Sequence, residues 1–219
     1  MKTFSQEAWA SIDQTIYKDI LNLDFVKELM LGTLDKSTFE FYIKQDKLYL
    51  NEFRRILTIL SSKLIKEEES NNFLIYAKDI MDVEKELHEE FLDLFKADEY
   101  LEASPSCLLY TGYLHTIVNT SSVAVILASV LPCFWIYQEV GAYILKHQNK
   151  EDNIYQAWID TYGSSEYEKV VQDVIVICNK HEKNASKDEK DQMLQAFYKA
   201  SQMEWLFWDS AYKKEKWAI

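Results

Sequence analysis

The chain has 219 residues, with 24 Lys and Arg against 36 Asp and Glu, and its formal net charge at pH 7 is −12. This charge, together with the absence of any basic run, argues against binding to nucleic acid or to an anionic membrane surface through bulk electrostatics. Apolar residues make up 48% of the chain and aromatic residues 14%, which excludes a disordered protein. We therefore expect a folded protein whose partner is a small molecule or another protein.

The cysteines and the first residues of the sequence favour the cytoplasm. Cys107, Cys133 and Cys178 are odd in number and have no metal-type spacing, so we interpret them as reduced thiols and not as a disulfide framework. The opening stretch MKTFSQEAWASIDQ lacks the apolar core and the cleavage site of a signal peptide. We expect a cytoplasmic protein.

The scarcity of glycine and proline predicts an all-α protein. The chain has only 4 Gly and 2 Pro, and its apolar residues recur at helical and not at alternating spacing. We expect a single domain over residues 1–219 that forms a bundle of roughly seven or eight helices with short joints. The predicted breaks lie near Gly32, residues 67–72, residues 97–105, residues 148–153, Gly163 and Asn184.

The first clear element is a long amphipathic helix over residues 39–64. Its apolar side chains recur on one face at helical spacing, while most of its charged side chains lie off that face. The residues of the apolar face are Phe39, Ile43, Leu50, Phe53, Leu57 and Leu60. This pattern predicts a helix with one side packed against the rest of the protein.

Three further helix starts follow along the chain. Ser104 precedes Pro105, which the first turn of a helix tolerates, and Ser165 and Ser186 each begin a capping-box spacing. Between them, an apolar run over residues 123–137 is about 15 residues long, short of the roughly 20 that cross a membrane. We predict that this run is a buried core helix.

Asp46 breaks the apolar pattern of the long helix. It lies three residues after Ile43 and four before Leu50, where an ionised carboxylate without a partner would cost several kcal/mol. Asp46 is therefore either structural glue, hydrogen-bonded to a neighbouring Tyr, Trp or Arg, or an acceptor that binds a ligand. Tyr49, three residues further on, is expected to project beside it.

Glu204 is in a similar position near the end of the chain. On a helical spacing it shares one face with the apolar residues Phe197, Ala200, Phe207, Trp208 and Ala211. An apolar environment raises the pKa of a carboxyl group and suits it to proton transfer near neutral pH. The alternative is a structural ion pair.

Cys133 is the third candidate. It follows Pro132, which removes a backbone hydrogen bond and bends a helix, and Tyr137 is one turn further on the same side. Such a bend can open a helix face to a ligand. A cysteine in an apolar helix is more often a small buried hydrophobe, and this is our interpretation of Cys107 and Cys178.

Other kinds of site are poorly supported. Glu84 and His88 have the i, i+4 spacing of two metal ligands on one helix face, but His115, His147 and His181 have no acid at i−3 or i−4. A carboxylate-bridged site for two metal ions needs a second such pair, so we predict no metal. The sequence also has no Gly-rich phosphate loop and no G-x-S-x-G elbow, and nucleotide chemistry is not expected.

Five stretches in fixed order match a known family. Over essentially its whole length the chain resembles the TenA family, thiaminase II or aminopyrimidine aminohydrolase. LPCFWIYQEVG and EWLFWDSAY carry the most specific part of the resemblance. The matching stretches are FYIKQDKLYLNEF at 41–53, YTGYLH at 110–115, ASVLPCFWIYQEVG at 128–141, YQAWIDTYGSSEY at 155–167 and MEWLFWDSAYKKEKW at 203–217.

The resemblance implies a fold and a set of roles. The fold would be an all-helical bundle of the haem-oxygenase-like type, assembled as a homotetramer. Cys133 would be the nucleophile, Glu204 the acid/base group, and Asp46 the partner of the exocyclic amine and a ring nitrogen of an aminopyrimidine. Aromatic residues would complete the site: Tyr49, Tyr137 and Tyr162 as its lining, Tyr110 as a hydrogen-bond partner of the thiol, and Phe207 as a stacking ring.

The implied reaction needs no metal or organic cofactor. The thiolate would add to the pyrimidine ring once Glu204 has protonated a ring nitrogen, and the group on the 5-methylene carbon would then leave. Water would add, and the thiol would depart. The substrate would be 4-amino-5-aminomethyl-2-methylpyrimidine, which loses ammonia, or thiamin, which loses its thiazolium ring.

One departure from the family and two alternative functions remain. Many relatives have a glycine where this chain has Thr120, Ser121 and Ser122; a small polar group there could narrow the pocket floor, and the sequence leaves this effect open. The first alternative is a non-catalytic protein of the same fold that binds a pyrimidine or thiamin. The second is a haem or quinone-cofactor enzyme on a related bundle, although a haem enzyme needs an axial histidine early in the chain and the first one here is His88.

Overall fold

The computed structural model of the protein describes residues 2–80, 102–148 and 153–218. Within these residues the chain is helical and has no β-strand, which confirms the predicted all-α class. The helices are α1 (Phe4–Ile12), a π-helical turn (Asp13–Tyr17), α2 (Lys18–Asn22), α3 (Asp24–Leu31), α4 (Lys36–Lys63), α5 (residues 67–80), α6 (Pro105–Thr120), α7 (Val123–His147), α8 (Gln156–Tyr162), α9 (Ser165–Lys183) and α10 (Lys187–Tyr212).

Serine caps begin three of these helices. The side chain of Ser104 accepts a hydrogen bond from the backbone N–H of Cys107 at the start of α6, and Ser186 accepts one from Glu189 at the start of α10, as predicted. Helix α9 begins at Ser165 as predicted, but its cap is the residue before. The side chain of Ser164 accepts a hydrogen bond from the backbone N–H of Tyr167.

The positions of the helix breaks are confirmed in part. Gly32 ends α3 with a φ of 70°, a backbone conformation that glycine adopts without strain. Breaks also occur at Gly163 and Asn184. The break predicted at 67–72 is wrong, since these residues begin α5 and the chain turns just before them.

The number of helical segments exceeds the predicted seven or eight. Breaks at Leu23 and at Ser121 were not predicted. Ser122 precedes α7, but its side chain makes no capping hydrogen bond to the start of that helix. Parts of the breaks predicted at 97–105 and 148–153 lie outside the described residues.

The residues Thr120–Ser122, which differ from those of many relatives, form the turn between α6 and α7, where Thr120 and Ser122 are exposed. Whether these residues narrow a pocket floor stays a prediction.

Helix α7 is the core of the bundle and packs most extensively against α10 and α9. It is long and apolar enough to cross a membrane by length and composition, but 83% of its apolar window is buried within the protein. Pro132 lies inside it without ending it. The predicted core helix over residues 123–137 is therefore confirmed.

Helix α4 confirms the predicted long amphipathic helix, with one adjustment to its face. Phe39, Ile43, Phe53, Leu57 and Leu60 are buried, whereas Leu50 is only partly buried. The buried face instead passes through Tyr42, Asp46 and Tyr49, whose spacing of four and three residues keeps them on one side of the helix.

A glycine lets the α8–α9 joint approach α7 closely. A Cβ atom added to Gly141 of α7 would lie 2.5 Å from the backbone carbonyl carbon of Tyr162. Only the absence of a side chain at this position permits the contact. Gly141 thereby brings Tyr162 against the part of α7 that carries Cys133.

Candidate active site

Three helices bring the sequence-predicted thiol and acids into the core. Asp46 of α4 is 5% exposed, Cys133 of α7 is 7% exposed, and Glu204 of α10 is 1% exposed. The negative charges of Glu204 and Asp46 both act on the Cys133 thiol, so the three groups share one buried region. The structure thus brings together side chains that are separated by up to 158 positions in the sequence.

Glu204 is held as a neutral acid at physiological pH. Burial raises its pKa to about 8, and the hydroxyl of Tyr110, which donates to Oε1 at 2.6 Å, partly opposes that rise. With this pKa, roughly ten carboxyl groups are protonated for each one ionised at pH 7. The side chain can therefore give a proton to a bound molecule.

The Cys133 thiol is also protonated at rest. Burial is the main cause of its raised pKa, and the charge of Glu204 raises the pKa further. The Tyr49 hydroxyl has the opposite effect, since it faces the thiol and favours the thiolate. A thiol in this state needs a base, or a substrate that accepts a proton, before it becomes a nucleophile.

The Tyr49 hydroxyl is buried and has no hydrogen-bond partner of good geometry among the described residues. It lowers the pKa of the Cys133 thiol, although the geometry between the two groups is not that of a full hydrogen bond. Its ring packs against Tyr110 at 4.8 Å and against Phe207 at 5.5 Å between ring centroids. A buried hydroxyl without a partner costs free energy, so Tyr49 is suited to contact a ligand.

Tyr110 has a hydrogen bond to the acid of the site. Its hydroxyl donates to the carboxyl group of Glu204, and Tyr49 is the hydroxyl that lowers the pKa of the Cys133 thiol. The predicted role of Tyr110 as a hydrogen-bond partner of the thiol stays a prediction.

Asp46 belongs to the same region. Apart from burial, its charge is the largest cause of the raised pKa of Tyr42 and of Tyr162. This places the carboxyl group close to two hydroxyls of the site. Whether Asp46 binds a ligand or serves as structural glue stays a prediction.

Aromatic rings surround these groups. The rings of Tyr137 and Tyr162 lie 5.0 Å apart, and Phe207 contacts the ring of Tyr42 at 6.1 Å. All four residues are buried. A flat aromatic ligand suits such surroundings, and the predicted lining residues are therefore found together.

Three aromatic residues of the site were missed at the level of sequence: Tyr42, Trp158 and Tyr167. Tyr42 precedes Asp46 by one helical turn, a spacing that could have identified it. Trp158 hydrogen-bonds the Tyr42 hydroxyl at 3.1 Å. Tyr167 contacts Tyr162, and its raised pKa reflects burial first and then the charge of Cys133. Nothing in the local sequence marks Trp158 or Tyr167.

The histidines have structural partners. His115 pairs with Glu52 and His181 with Glu69, each at 2.8 Å, and both acids are distant in sequence. No cluster of three or more potential metal ligands occurs in the described parts of the chain, and Glu84 and His88 lie outside them. Cys107 and Cys178 are buried as predicted, at 1% and 0% exposure.

Comparison with known proteins identifies the family of the chain. Residues 11–214 match the model of the TENA/THI-4/PQQC family. The chain is 31% identical over 198 residues to the aminopyrimidine aminohydrolase of Bacillus subtilis strain 168, covering 89% of this chain and 84% of that protein. A TenA homologue from P. horikoshii OT3 has a TM-score of 0.85 at 25% identity, over 97% of this chain and 99% of the other.

A more distant structure bears on the fold. A domain with a heme oxygenase-like fold from Shewanella denitrificans OS217 has a TM-score of 0.70 at 13% identity, over 94% of this chain and 92% of the other. This likeness confirms the predicted haem-oxygenase-like bundle. Because the family model covers more than nine-tenths of the sequence, the chain belongs to the TENA/THI-4/PQQC family.

Proposed function

We propose that this chain is a cysteine-dependent hydrolase that releases 4-amino-5-hydroxymethyl-2-methylpyrimidine from the corresponding aminomethyl pyrimidine, from thiamin, or from both. The name of the Bacillus subtilis relative, aminopyrimidine aminohydrolase, supports this substrate class. The observation that carries the proposal is the buried pair formed by the Cys133 thiol and the Glu204 carboxyl, which both hold a proton near pH 7. This pair supplies a nucleophile and an acid in one buried region.

The first step is addition of the thiol to the ring. Glu204 gives its proton to a ring nitrogen while Cys133 Sγ bonds to a ring carbon, and the proton that leaves the thiol restores the carboxyl group. Tyr49 and Tyr110 connect the two groups, since one faces the thiol and the other donates to Glu204. No net charge develops in this exchange, which suits a buried site where an isolated charge is costly.

The second step breaks the bond between the 5-methylene carbon and its leaving group. The electron pair that thiol addition places in the ring expels ammonia or the thiazolium ring, and Glu204 can give the departing amine its proton. Water then adds to the methylene carbon. Its proton replaces the one that Glu204 gave to the amine; with thiamin, whose ring leaves as neutral thiazole, this proton is released to water. The C–S bond then breaks, and the proton on the ring nitrogen returns to the sulfur, which restores the aromatic ring and the Cys133 thiol.

Asp46 and the aromatic residues hold the substrate in this scheme. Asp46 accepts a hydrogen bond from the exocyclic amine, while Tyr137 and Tyr162 line the pocket and Phe207 stacks on the ring. The buried hydroxyl of Tyr49, which has no partner of good geometry in the described residues, gains one when substrate binds. The same chain needs no metal or organic cofactor for these steps.

The assay that tests this function is release of hydroxymethyl pyrimidine by the purified protein, with the aminomethyl pyrimidine and thiamin offered separately. We expect Cys133→Ser to fold and to lose nearly all turnover. Cys178→Ser is the matched control, because it removes an equally buried thiol from α9, and it should keep the wild-type rate.

Two results would contradict the proposal. Wild-type turnover by Cys133→Ser removes the nucleophile from the scheme. Absence of turnover with both substrates, together with saturable binding of the pyrimidine, favours the alternative of a non-catalytic binding protein. The ratio of the two wild-type rates identifies the preferred leaving group.

We also propose that the protein is a single-domain cytoplasmic homotetramer, as the family resemblance implies. Leu108 and Leu109 of α6 are 52% and 53% exposed, an adjacent apolar pair of the kind that subunit interfaces cover. Light scattering should give a mass of about four times 25.9 kDa. A monomeric mass at micromolar concentration would contradict the tetramer.

A further inference from the structure

Three buried side chains form a hydrogen-bond chain that ends in the site. Trp158 Nε1 of α8 donates to the hydroxyl of Tyr42 on α4 at 3.1 Å, and that hydroxyl donates to the hydroxyl of Tyr137 on α7 at 3.4 Å. Trp158, Tyr42 and Tyr137 are 1%, 0% and 4% exposed. Three helices are thus joined through one hydroxyl group.

Trp158 sets the donor-to-acceptor direction of this hydrogen-bond chain. An indole N–H can donate a hydrogen bond but cannot accept one, so one lone pair of the Tyr42 oxygen is occupied. Tyr42 uses its own proton on Tyr137. Tyr137 is therefore the acceptor in the pair, and across the described residues this is its one side-chain hydrogen bond. The Tyr137 hydroxyl can therefore donate its own proton in a hydrogen bond to another group.

Packing of the aromatic rings holds the hydrogen-bonded side chains in place. The Tyr137 ring contacts Trp208 at 4.8 Å and Tyr162 at 5.0 Å, and the Tyr42 ring contacts Phe25 at 5.0 Å. Rings fixed on both sides cannot swing to another partner without disturbing the core. The position of the Tyr137 hydroxyl is thus set by its bond to Tyr42 and by these contacts.

We propose that Tyr42 and Trp158 are positioning residues that fix the Tyr137 hydroxyl as a hydrogen-bond donor to the bound aminopyrimidine. This inference rests on the proposed function. The nitrogen on the 5-methylene carbon of the substrate and the hydroxyl oxygen of the product both have lone pairs that accept hydrogen bonds, so a donor held in advance matches them and loses little freedom on binding. Removal of the Tyr42 hydroxyl frees the Tyr137 hydroxyl to turn and leaves the Trp158 N–H without its acceptor.

A double-mutant cycle on kcat/KM tests the proposal. Tyr42→Phe should lower kcat/KM for the aminomethyl pyrimidine by about tenfold, the effect expected from one lost hydrogen bond, mostly through a higher KM. In a Tyr137→Phe background the same change should lower it by less than about twofold, because the hydroxyl through which Tyr42 acts is already absent.

The matched control is Tyr155→Phe. Tyr155 is also fully buried, but its hydroxyl donates to the backbone carbonyl of Leu34, outside the site. Melting temperatures of all variants separate folding from function. For the first link in the chain, calorimetric titration of Trp158→Phe with hydroxymethyl pyrimidine should show several-fold weaker binding than the wild type.

The outcomes distinguish this inference from the proposed function. Independent effects of Tyr42→Phe and Tyr137→Phe, or a Tyr42→Phe variant as active as Tyr155→Phe, overturn the positioning role while the hydrolase stands. Wild-type binding by Trp158→Phe overturns the role of that residue. A wild-type protein that neither binds nor converts the pyrimidine overturns the proposed function, and this inference with it.

Discussion

Replacement of Glu204 by glutamine should stabilise the protein at alkaline pH while it removes the proposed proton donor. The wild-type carboxyl has a pKa of about 8 in the folded protein, against an ordinary value of 4.5. The folded state therefore binds the proton more tightly than the unfolded state. Stability from this group is fully present below about pH 4.5 and is lost as the pH rises toward 8.

The size of the effect follows from the shift of the Glu204 pKa. Each pKa unit corresponds to about 1.4 kcal/mol. The difference between the unfolded and folded pKa values of Glu204 therefore lowers the free energy of unfolding by roughly 4 kcal/mol between pH 5 and pH 9. Glutamine does not titrate, and its amide oxygen can still accept the hydrogen bond of Tyr110. A buried amide N–H without a partner costs about 1–3 kcal/mol at every pH. The test is therefore how the unfolding free energy changes with pH, and not its value at one pH.

The assay is urea denaturation of wild type and Glu204→Gln at pH 5 and pH 9, at one protein concentration. The difference in unfolding free energy between the two proteins should change by roughly 4 kcal/mol in favour of the variant as the pH rises. Groups that lie away from Glu204 titrate alike in both proteins, so their contributions cancel. Parallel pH dependence of the two proteins would refute a neutral, buried Glu204.

Three other predictions concern the site and its support. Asp46→Asn should raise KM for the aminomethyl pyrimidine and lower kcat, whereas unchanged kinetics would make Asp46 structural glue. Gly141→Ala should destabilise the protein by about 1–3 kcal/mol in thermal unfolding, because its Cβ would meet the Tyr162 backbone at 2.5 Å; Gly112→Ala, where no atom lies within 4 Å, is the control and should not destabilise. The rate should fall as the pH rises through about 8, where Glu204 loses its proton, and a rate that rises through this range would instead indicate a thiolate nucleophile.

Much of the fold could be predicted because its signals are local. The capping residues Ser104 and Ser186 act on backbone groups three residues away, and the apolar face of α4 repeats with the helical period. Breaks without such signals were missed. Ser122, for example, precedes α7 without a capping hydrogen bond, and the turn there follows from how α6 and α7 pack.

The site could be predicted only as a set of residue types on buried faces. Asp46 and Glu204 were found because a charged residue interrupts an apolar face, and the structure buries both. Their mutual arrangement depends on contacts between distant segments, such as the bond from Tyr110 to Glu204 across 94 positions. For the same reason the bond from Tyr110 to Glu204 was not predicted, and Trp158, which acts across 116 positions, was not found.

Stability and chemistry make opposite demands on Glu204. Burial that holds its proton at pH 7 also destabilises the folded state as soon as the proton leaves. An exposed glutamate would remove that cost, but with an ordinary pKa it would be ionised at pH 7 and could not act as an acid. A Glu204→Gln variant that is more stable at pH 9 and inactive at pH 7 would show both consequences in one protein. The buried carboxyl is thus best explained by the proton-transfer role proposed for it.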